Sequence, residues 1–458
     1  MTIKLKNIGI LKQAEFSIGD LTVICGENNT AKTYAAYALY GFLKSWDDFV
    51  KFPISDEQIH NFLTEGLLRI DLVKYVNMAD QVLTEACKLY TQQLDKIFAA
   101  PEDGFHNSEL YLQTETINLH NRGVEGNWHI PPLINYVKEM KSEELIVNLV
   151  MEREEKVDPS SVKTRLRSII NDIIFSGSFP QPFICSSERT GAATFRTELS
   201  FARDRLLKEM SQVQKNRDPR ELLFKGYQRY PSPIEDNVNF MRQLEYIAKG
   251  ESFIAKEHPE ILTDFADIVG GEYVVTQNDL LYYIPKGTRS KLTMVESSSS
   301  ARALLDLSFY LNCIAEEDDL LMVDEPELSL HPENQRRIAK LFARLANIGV
   351  KVFITTHSDY IIKELNTLIM LNHDKPHLKR IAEENGYQDG ELINADQVKV
   401  YVAEKTLLPL EEGQKRRKRG HTLVPAKIHP KFGIGVHSFD KTIDKMNQIQ
   451  DDIVWGEE

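Results

Sequence analysis

Apolar and polar positions alternate over residues 2–7 and again over residues 14–17, which predicts two strands of a half-buried sheet. Leu21-Thr22-Val23-Ile24-Cys25 is instead a continuous apolar run stopped by Gly26, the pattern of a strand buried on both faces. A polar loop follows, and then a helical pattern from Tyr34 to Leu43. From about Trp46 to about Leu262 the chain reads as largely helical. Leu63, Leu67, Leu68, Ile70 and Leu72 illustrate the three-and-four spacing, and no sustained heptads mark a long coiled coil. Pro182 to Ser186 is a strand-like island suited to return to a sheet near 182–187, and a second helical stretch runs from Glu198 to about Lys249. Residues 101–126, rich in polar and turn types, read as a loop.

The pattern changes after Gly270-Gly271. Residues 272–276 and 280–284 read as a hairpin around Asn278-Asp279. A serine run, Ser297 to Ser300, precedes a helix through Leu304, Leu305, Leu307 and Leu311. Leu320 to Val323 and Val352 to Thr355 are buried strands flanking a helix over 329–346, and residues 434–447 read as a strand and then an amphipathic helix. Strands alternating with helices predict an α/β class. The expected organisation is a head in two pieces, 1–45 and 265–400, separated by a compact helical insertion over 46–264. Residues 401–458 form a C-terminal extension.

Composition narrows the function. The 458 residues are 42% hydrophobic, enough for one large core or two ordinary ones. Lys and Arg number 55 against 68 Asp and Glu, so the net charge of −13 argues against nucleic-acid binding by bulk attraction. Cys25, Cys87, Cys185 and Cys313 lack CxxC spacing and suit a reducing compartment. No signal peptide is evident, and no run approaches the roughly 18 apolar residues of a membrane span. A soluble cytoplasmic protein with no membrane partner is expected.

Three segments carry candidate chemistry. Gly26-x-x-x-x-Ala31-Lys32-Thr33, between a strand and a helix, fits a phosphate-binding loop. Lys32 would reach the β- and γ-phosphates and the Thr33 hydroxyl would hold Mg²⁺. Backbone N–H groups across Gly26, Asn28, Asn29, Thr30 and Ala31 would line the anion. Ala31 stands where a glycine is usual, and an ordinary strand–loop–helix turn is the competing reading. In Leu320-Leu321-Met322-Val323-Asp324-Glu325 a strand delivers two acids to a sheet edge. There Asp324 would join the Mg²⁺ shell and Glu325 would act as general base, unless both merely cap the next helix. His357, in Thr355-Thr356-His357-Ser358, stands at the end of the next strand. It is placed to sense the γ-phosphate, although a lone histidine there is more often structural.

Together these segments resemble the ABC/SMC-like P-loop ATPase superfamily: GENNTAKT its Walker A, LLMVDEPE its Walker B, Leu328-Ser329-Leu330-His331-Pro332 its D-loop and TTHS its switch-histidine loop. Ser297 to Arg302 lies where its signature motif belongs. The serine-rich form, together with Ser186-x-Glu188-Arg189-Thr190-Gly191, is similar to stand-alone bacterial ATPases that include OLD-family heads and the Septu and PARIS defence ATPases. The resemblance covers residues 1–45, 180–192 and 265–400. It implies an ABC-type head that binds ATP and Mg²⁺ between two head-to-tail protomers, with Ser299 and Ser300 of one touching the γ-phosphate held by the other.

The signature departs from the Ser-Gly-Gly-Gln of transporters, no Q-loop glutamine is identifiable, and no early aromatic is placed to stack on adenine. Lys415 to Arg419 forms the one strong basic block, suited to nucleic acid or an acidic protein and equally to a solvated loop. No acid cluster of the Toprim type and no HNH histidine pattern is present, so a separate effector protein is expected. The leading expectation is an ATP-driven switch in anti-phage defence. A DNA-clamping repair ATPase, a transporter subunit and a non-hydrolysing scaffold are the alternatives.

Overall fold

The computed structural model describes residues 1–101, 103–114, 119, 123–128, 133–150, 158–199, 230–277, 280–409, 417–435 and 437–455. Nine strands form its main sheet. They are β1 (Thr2–Ile8), β2 (Leu11–Ser17), β3 (Leu21–Cys25), β4 (Glu109–Gln113), β5 (Pro182–Cys185), β6 (Leu320–Asp324), β7 (Lys351–Thr356), β8 (Val398–Pro409) and β9 (Arg417–Pro425). Their spatial order is β4-β1-β2-β9-β8-β3-β7-β6-β5. The run β8-β3-β7-β6-β5 is parallel throughout. Beyond it, β9 is antiparallel to β8 and β1 is antiparallel to both β2 and β4.

Side-chain alternation divides the parallel strands between two cores. Ile24, Leu320, Met322 and Phe353 point to the face covered by helix α1 (Lys32–Phe49). Val23, Cys25, Leu321, Val323, Val352 and Ile354 point to the other face. That second face is covered by α2 (Pro332–Asn347) and α3 (Asp359–Leu371). Because both faces are covered, every position of β3 and β6 is buried and, apart from Thr22 and the terminal Asp324, apolar. Helix α2 turns Ile338, Leu341, Phe342 and Leu345 inward on one stripe. It starts at Pro332, where a missing N–H costs nothing, rather than at the expected Ser329.

The insertion carries the expected helices, among them Asp56–Glu65, Leu72–Thr91 and Pro159–Phe175. It also holds an antiparallel sheet that the sequence reading did not anticipate. Its strands, in spatial order, are Leu67–Asp71, Glu144–Val150, Leu133–Lys138 and Val124–Trp128. The stretch 101–126, expected as a loop, contains β4, whose Leu110 and Leu112 point inward while its other side chains are exposed. An aromatic cluster seats the insertion on α1. Phe42 meets Tyr90 and Phe179 edge-on at ring separations of 5.4 and 5.7 Å. The Tyr90 hydroxyl donates to the Ala38 carbonyl over 2.8 Å.

The hairpin forms as Gly271–Val275 and Leu281–Pro285, its turn residues 278–279 lying outside the described residues. The Leu-rich segment after the serines is broken into short helices, Ser299–Ala303 and Leu305–Phe309, and a π turn over Tyr310–Ile314. Of the second helical stretch, 200–229 lies outside the described residues, and Ser232–Arg242 and Leu244–Ile247 are helical. Arg417 to Arg419 open β9 rather than a loop, while Lys415 and Arg416 lie outside the described residues. The C-terminal strand and helix form as Gly433–Gly435 and His437–Trp455.

Phe42 joins the head to the insertion at full burial. Phe42→Ala is expected to lower the unfolding free energy by about 3–5 kcal/mol, read from denaturant melts. A loss near zero would mean that the insertion does not pack on α1 as described.

Candidate functional site

The register of the parallel strands brings the motifs together. Cys25 lies opposite Thr356, and Asp324 opposite Thr355. The loop after β3 and the ends of β6 and β7 therefore emerge at one carboxyl edge, where open α/β sheets bind ligands.

The loop Gly26–Thr33 turns sharply. Gly26 has φ +138, and a Cβ there would stand 2.5 Å from the Ala403 carbonyl oxygen of β8. Only glycine fits. Asn29 (φ +60) and Ala31 (φ +78, ψ +18) are both left-handed. Ala31 thus occupies the conformation that glycine would adopt freely. Glu27, Asn28 and Asn29 form the exposed crest, and the Thr30 hydroxyl braces it by donating to the Glu27 carbonyl over 2.6 Å. Left-handed residues leading into an 18-residue helix direct successive N–H groups and the positive end of the helix dipole to one point. Lys32 Nζ lies inside the loop and donates to the carbonyls of Gly26 and Glu27 over 3.0 and 2.8 Å. Burial lowers the Lys32 pKa, opposed by the charges of Glu325, Glu327 and Asp324.

Asp324 is buried at the end of β6. Its Oδ1 accepts from the hydroxyl of Thr33 over 3.4 Å and from that of Thr355. Its Oδ2 is buried without a hydrogen-bond partner. Desolvation pushes its pKa up, with the Thr355 bond opposing. An orphaned carboxylate oxygen beside a threonine hydroxyl is a hard-oxygen pair that fits Mg²⁺, which takes one or two carboxylates and leaves other positions to phosphate and water. Among the described residues no group of three or more His, Cys, Asp or Glu clusters as a metal site, and this donor set needs none.

Glu325 is half-exposed and left-handed, with φ +53. Its N–H donates to the Thr355 carbonyl over 2.9 Å, so the strain is held by the neighbouring strand. His357 Nδ1 lies 3.8 Å from Glu325 Oε1 and 3.1 Å from Glu327 Oε1. Glu327 is the residue that sequence reasoning passed over. It accepts the His357 N–H over 2.7 Å and the Thr356 hydroxyl over 2.9 Å, and so sets the histidine's loop. Its signal was a third acid in DEPE, one proline beyond the pair already noted.

The expected residues Gly26, Asn28, Asn29, Thr30, Ala31, Lys32, Thr33, Asp324, Glu325 and His357 all lie at this edge. Ser299 and Ser300 do not join them within one chain. Ser298 caps their helix by accepting the Ala301 N–H over 3.1 Å, Ser298 and Ser300 hydroxyls share a bond of 2.9 Å, and Ser299 accepts from Arg302 over 3.2 Å. Among the described residues, no hydrogen bond links Ser299 or Ser300 to the loop Gly26–Thr33. The helix they begin is nevertheless tied to β6. Arg189, only 2% exposed, donates to the carbonyls of Ala303, Asp324 and Glu325. Nearby Asp306 is fully buried, and burial lifts its pKa to about 7 against the pull of Arg189.

Residues 1–362 match a family model described as an AAA ATPase domain. No curated protein sequence matches the chain. Among solved structures the chain is similar to an Smc head bound to the C-winged helix domain of ScpA, with 12% identity over 93% of this chain and 97% of that one and a TM-score of 0.34. An Smc head with an extended coiled coil, bound to the C-terminal domain of ScpA derived from Pyrococcus furiosus, gives 12% identity, 98% of both chains and 0.30. The SMC head domain from Thermotoga maritima gives 11%, 93% and 98%, and 0.28.

Left-handed alanine costs roughly 1–2 kcal/mol, partly offset because alanine restricts the unfolded chain. Ala31→Gly is therefore expected to be neutral or to stabilise by up to about 1 kcal/mol in denaturant melts. A helix-interior Ala→Gly costs about that much. The Asp306 pKa rises from 3.8 to about 7 on folding. Its protonated form favours the fold, so that stability is complete below about pH 4 and is lost as pH climbs through about 7. Asp306→Asn should melt higher than wild type at about pH 8 and lose that advantage at about pH 4.

Proposed function

The chain belongs to the AAA ATPase domain family, and from that premise we propose that it binds ATP with Mg²⁺ and hydrolyses it as an ABC/SMC-like nucleotide switch. The observation that carries this reading is the convergence of Lys32, Thr33, Asp324, Glu325 and His357 at the carboxyl edge of three neighbouring parallel strands.

Each group has a task that its surroundings suit. Lys32 exchanges the carbonyls of Gly26 and Glu27 for β- and γ-phosphate oxygens. The loop's N–H groups and the start of α1 take the remaining phosphate charge. The Thr33 hydroxyl and Asp324 hold Mg²⁺, which when bound neutralises charge on the β- and γ-phosphates. Glu325 accepts the proton of the water that attacks the γ-phosphate, releasing ADP and phosphate. His357, held by Glu327, contacts the γ-phosphate and registers its departure.

Ser298 and Ser299 are exposed and Ser300 partly so, and no described hydrogen bond ties Ser299 or Ser300 to their own chain's loop. This supports a composite site in which two protomers associate head to tail and Ser299 and Ser300 complete the other's γ-phosphate pocket. The serine-type signature supports a kinship with the stand-alone bacterial defence ATPases, OLD-like in the head and similar to those of Septu and PARIS. In that role ATP closes the dimer and a separate effector protein executes the response. No described helix is long and apolar enough to cross a membrane.

A second reading, a DNA-clamping repair ATPase, draws on the exposed Arg417, Lys418 and Arg419 at the start of β9. It requires DNA binding that weakens steeply with salt and is lost when these three are neutralised.

The test is phosphate release from ATP and Mg²⁺ across a protein concentration series, with Lys32→Ala as blank. Activity per protomer should rise with concentration and vanish in the blank. Glu325→Gln should lower turnover about 10²–10⁴-fold while nucleotide affinity stays near wild type. Wild-type protein that neither binds nucleotide nor releases phosphate above the blank would overturn the ATPase reading. Concentration-independent turnover by a chain that is monomeric by mass would overturn the composite site.

A further inference from the structure

Arg189 carries the most unusual bonding in the molecule. It follows the edge strand β5 and is one of the largest side chains buried completely. A guanidinium in that position normally meets a carboxylate. Here the described bonds all go to backbone carbonyls. Nε donates to Ala303 over 2.8 Å, and Nη1 donates to Ser186 and Asp324 over 2.8 and 2.7 Å. Nη2 donates to Glu325 over 2.8 Å. One planar group therefore spends four of its five donors on three separate segments of chain.

Those segments are not arbitrary. The β5–β6 ladder ends with Cys185 opposite Val323, so the carbonyls of Asp324 and Glu325 lie just beyond the last rung. Arg189 continues the ladder with a side chain where the strand has stopped. It thereby holds the carbonyl side of Glu325, whose N–H side is held by Thr355. A left-handed glutamate pinned at both peptide groups has the direction of its Cα–Cβ bond, and so the base of its side chain, set by those two bonds. Nε reaches Ala303, the last residue of the helix that begins at Ser299, and satisfies a carbonyl left over at that helix end. Asp306, three residues further along, is buried with neither carboxylate oxygen hydrogen-bonded. It makes no hydrogen bond to the guanidinium and leaves the fork free for the carbonyls.

We propose that Arg189 is a positioning residue that makes the placement of the Ser299–Ala303 helix and the aim of the Glu325 carboxylate a single event. A ligand or partner that draws on Ser299 and Ser300 pulls the Ala303 carbonyl. The rigid fork transmits that displacement to the peptide carrying Glu325. Nucleotide bound at the loop of one protomer thus adjusts the base of the protomer whose serines touch it. The inference rests on the ATPase reading given above and adds to it which residue joins the two halves of the composite site.

The test is a double-mutant cycle in steady-state phosphate release, with binding of a fluorescent ATP analogue and thermal melting measured on each protein. Arg189→Lys keeps the charge but loses the fork. It should lower kcat on the order of tenfold to a hundredfold, with analogue affinity within about twofold of wild type. The pair Ser299→Ala and Ser300→Ala should also lower kcat in wild type, but should add little in the Arg189→Lys background. Additive losses, or a kcat loss matched by an equal loss of analogue affinity and melting temperature, would overturn the coupling. If Arg189→Lys does not fold, hydrogen exchange on the wild type decides. A non-hydrolysable ATP analogue should change exchange over 299–305, 186–191 and 324–328 with one midpoint. The serine double variant should lose the change over 186–191 while keeping that over 26–34; separate midpoints, or a retained change over 186–191, would overturn it. Wild-type protein that binds no analogue and releases no phosphate would instead remove the ATPase reading itself, which keeps the two failures distinct.

Discussion

The parallel pairing of β3 with β7, and of β7 with β6, sets Cys25 against Thr356 and Asp324 against Thr355. A slip of one residue in either pair would reverse every side chain on that strand and carry its apolar set from one core to the other. The two buried faces forbid such a slip, because both are filled by helices. The geometry at the carboxyl edge is therefore inherited from the hydrophobic interior. Lys32, Asp324 and His357 belong to segments far apart in sequence, and only this register makes them neighbours.

Charge at that edge is arranged against the cost of burial. Asp324 and Lys32 both lose hydration, and each has its ordinary pKa displaced toward the neutral form. Glu325 and Glu327 remain close enough to oppose the shift on Lys32. Glu327 also fixes His357 through one backbone and one ring contact. Arg189 adds a buried cation that touches the acids only through their carbonyls. The site thus separates groups that present charge from groups that hold the backbone, and Arg189 and Thr355 belong to the second kind.

Much of this was legible in the chain. Leu21 to Cys25 and Leu320 to Asp324 announced themselves as buried strands because strands covered on both faces have no polar alternation to blur them. Their polar endings marked the site. What was not legible depended on contacts distant in sequence. The strands at 124–128 and 133–138 are short and half-polar, and their pairing partners lie across turns that no local pattern specifies. β4 did alternate, at Leu110 and Leu112, but it sat among turn-forming residues that suggested a loop. Arg189 was visible only as part of a familiar segment. That its donors would reach Ala303 and Glu325 follows from tertiary placement, which residue type alone does not encode. The serine helix was seen, but not its interruption into short pieces ending in a π turn.

The position of β3 bears on how the chain comes to be folded at all. Its two neighbours are β7, which begins at Lys351, and β8, which begins at Val398. During synthesis β3, which leads into the phosphate loop, is made well before β7 and β8, and both edges of its backbone stay unmatched until those strands have left the ribosome. The insertion can gather its own helices and small sheet in the meantime, but it cannot shelter β3. Such non-local closure makes folding slow and leaves an apolar strand available for wrong pairings. A nascent chain halted before residue 351 would be a poor soluble species and a natural client for chaperones. For the same reason this head cannot be divided at its insertion into two halves that fold separately and then meet.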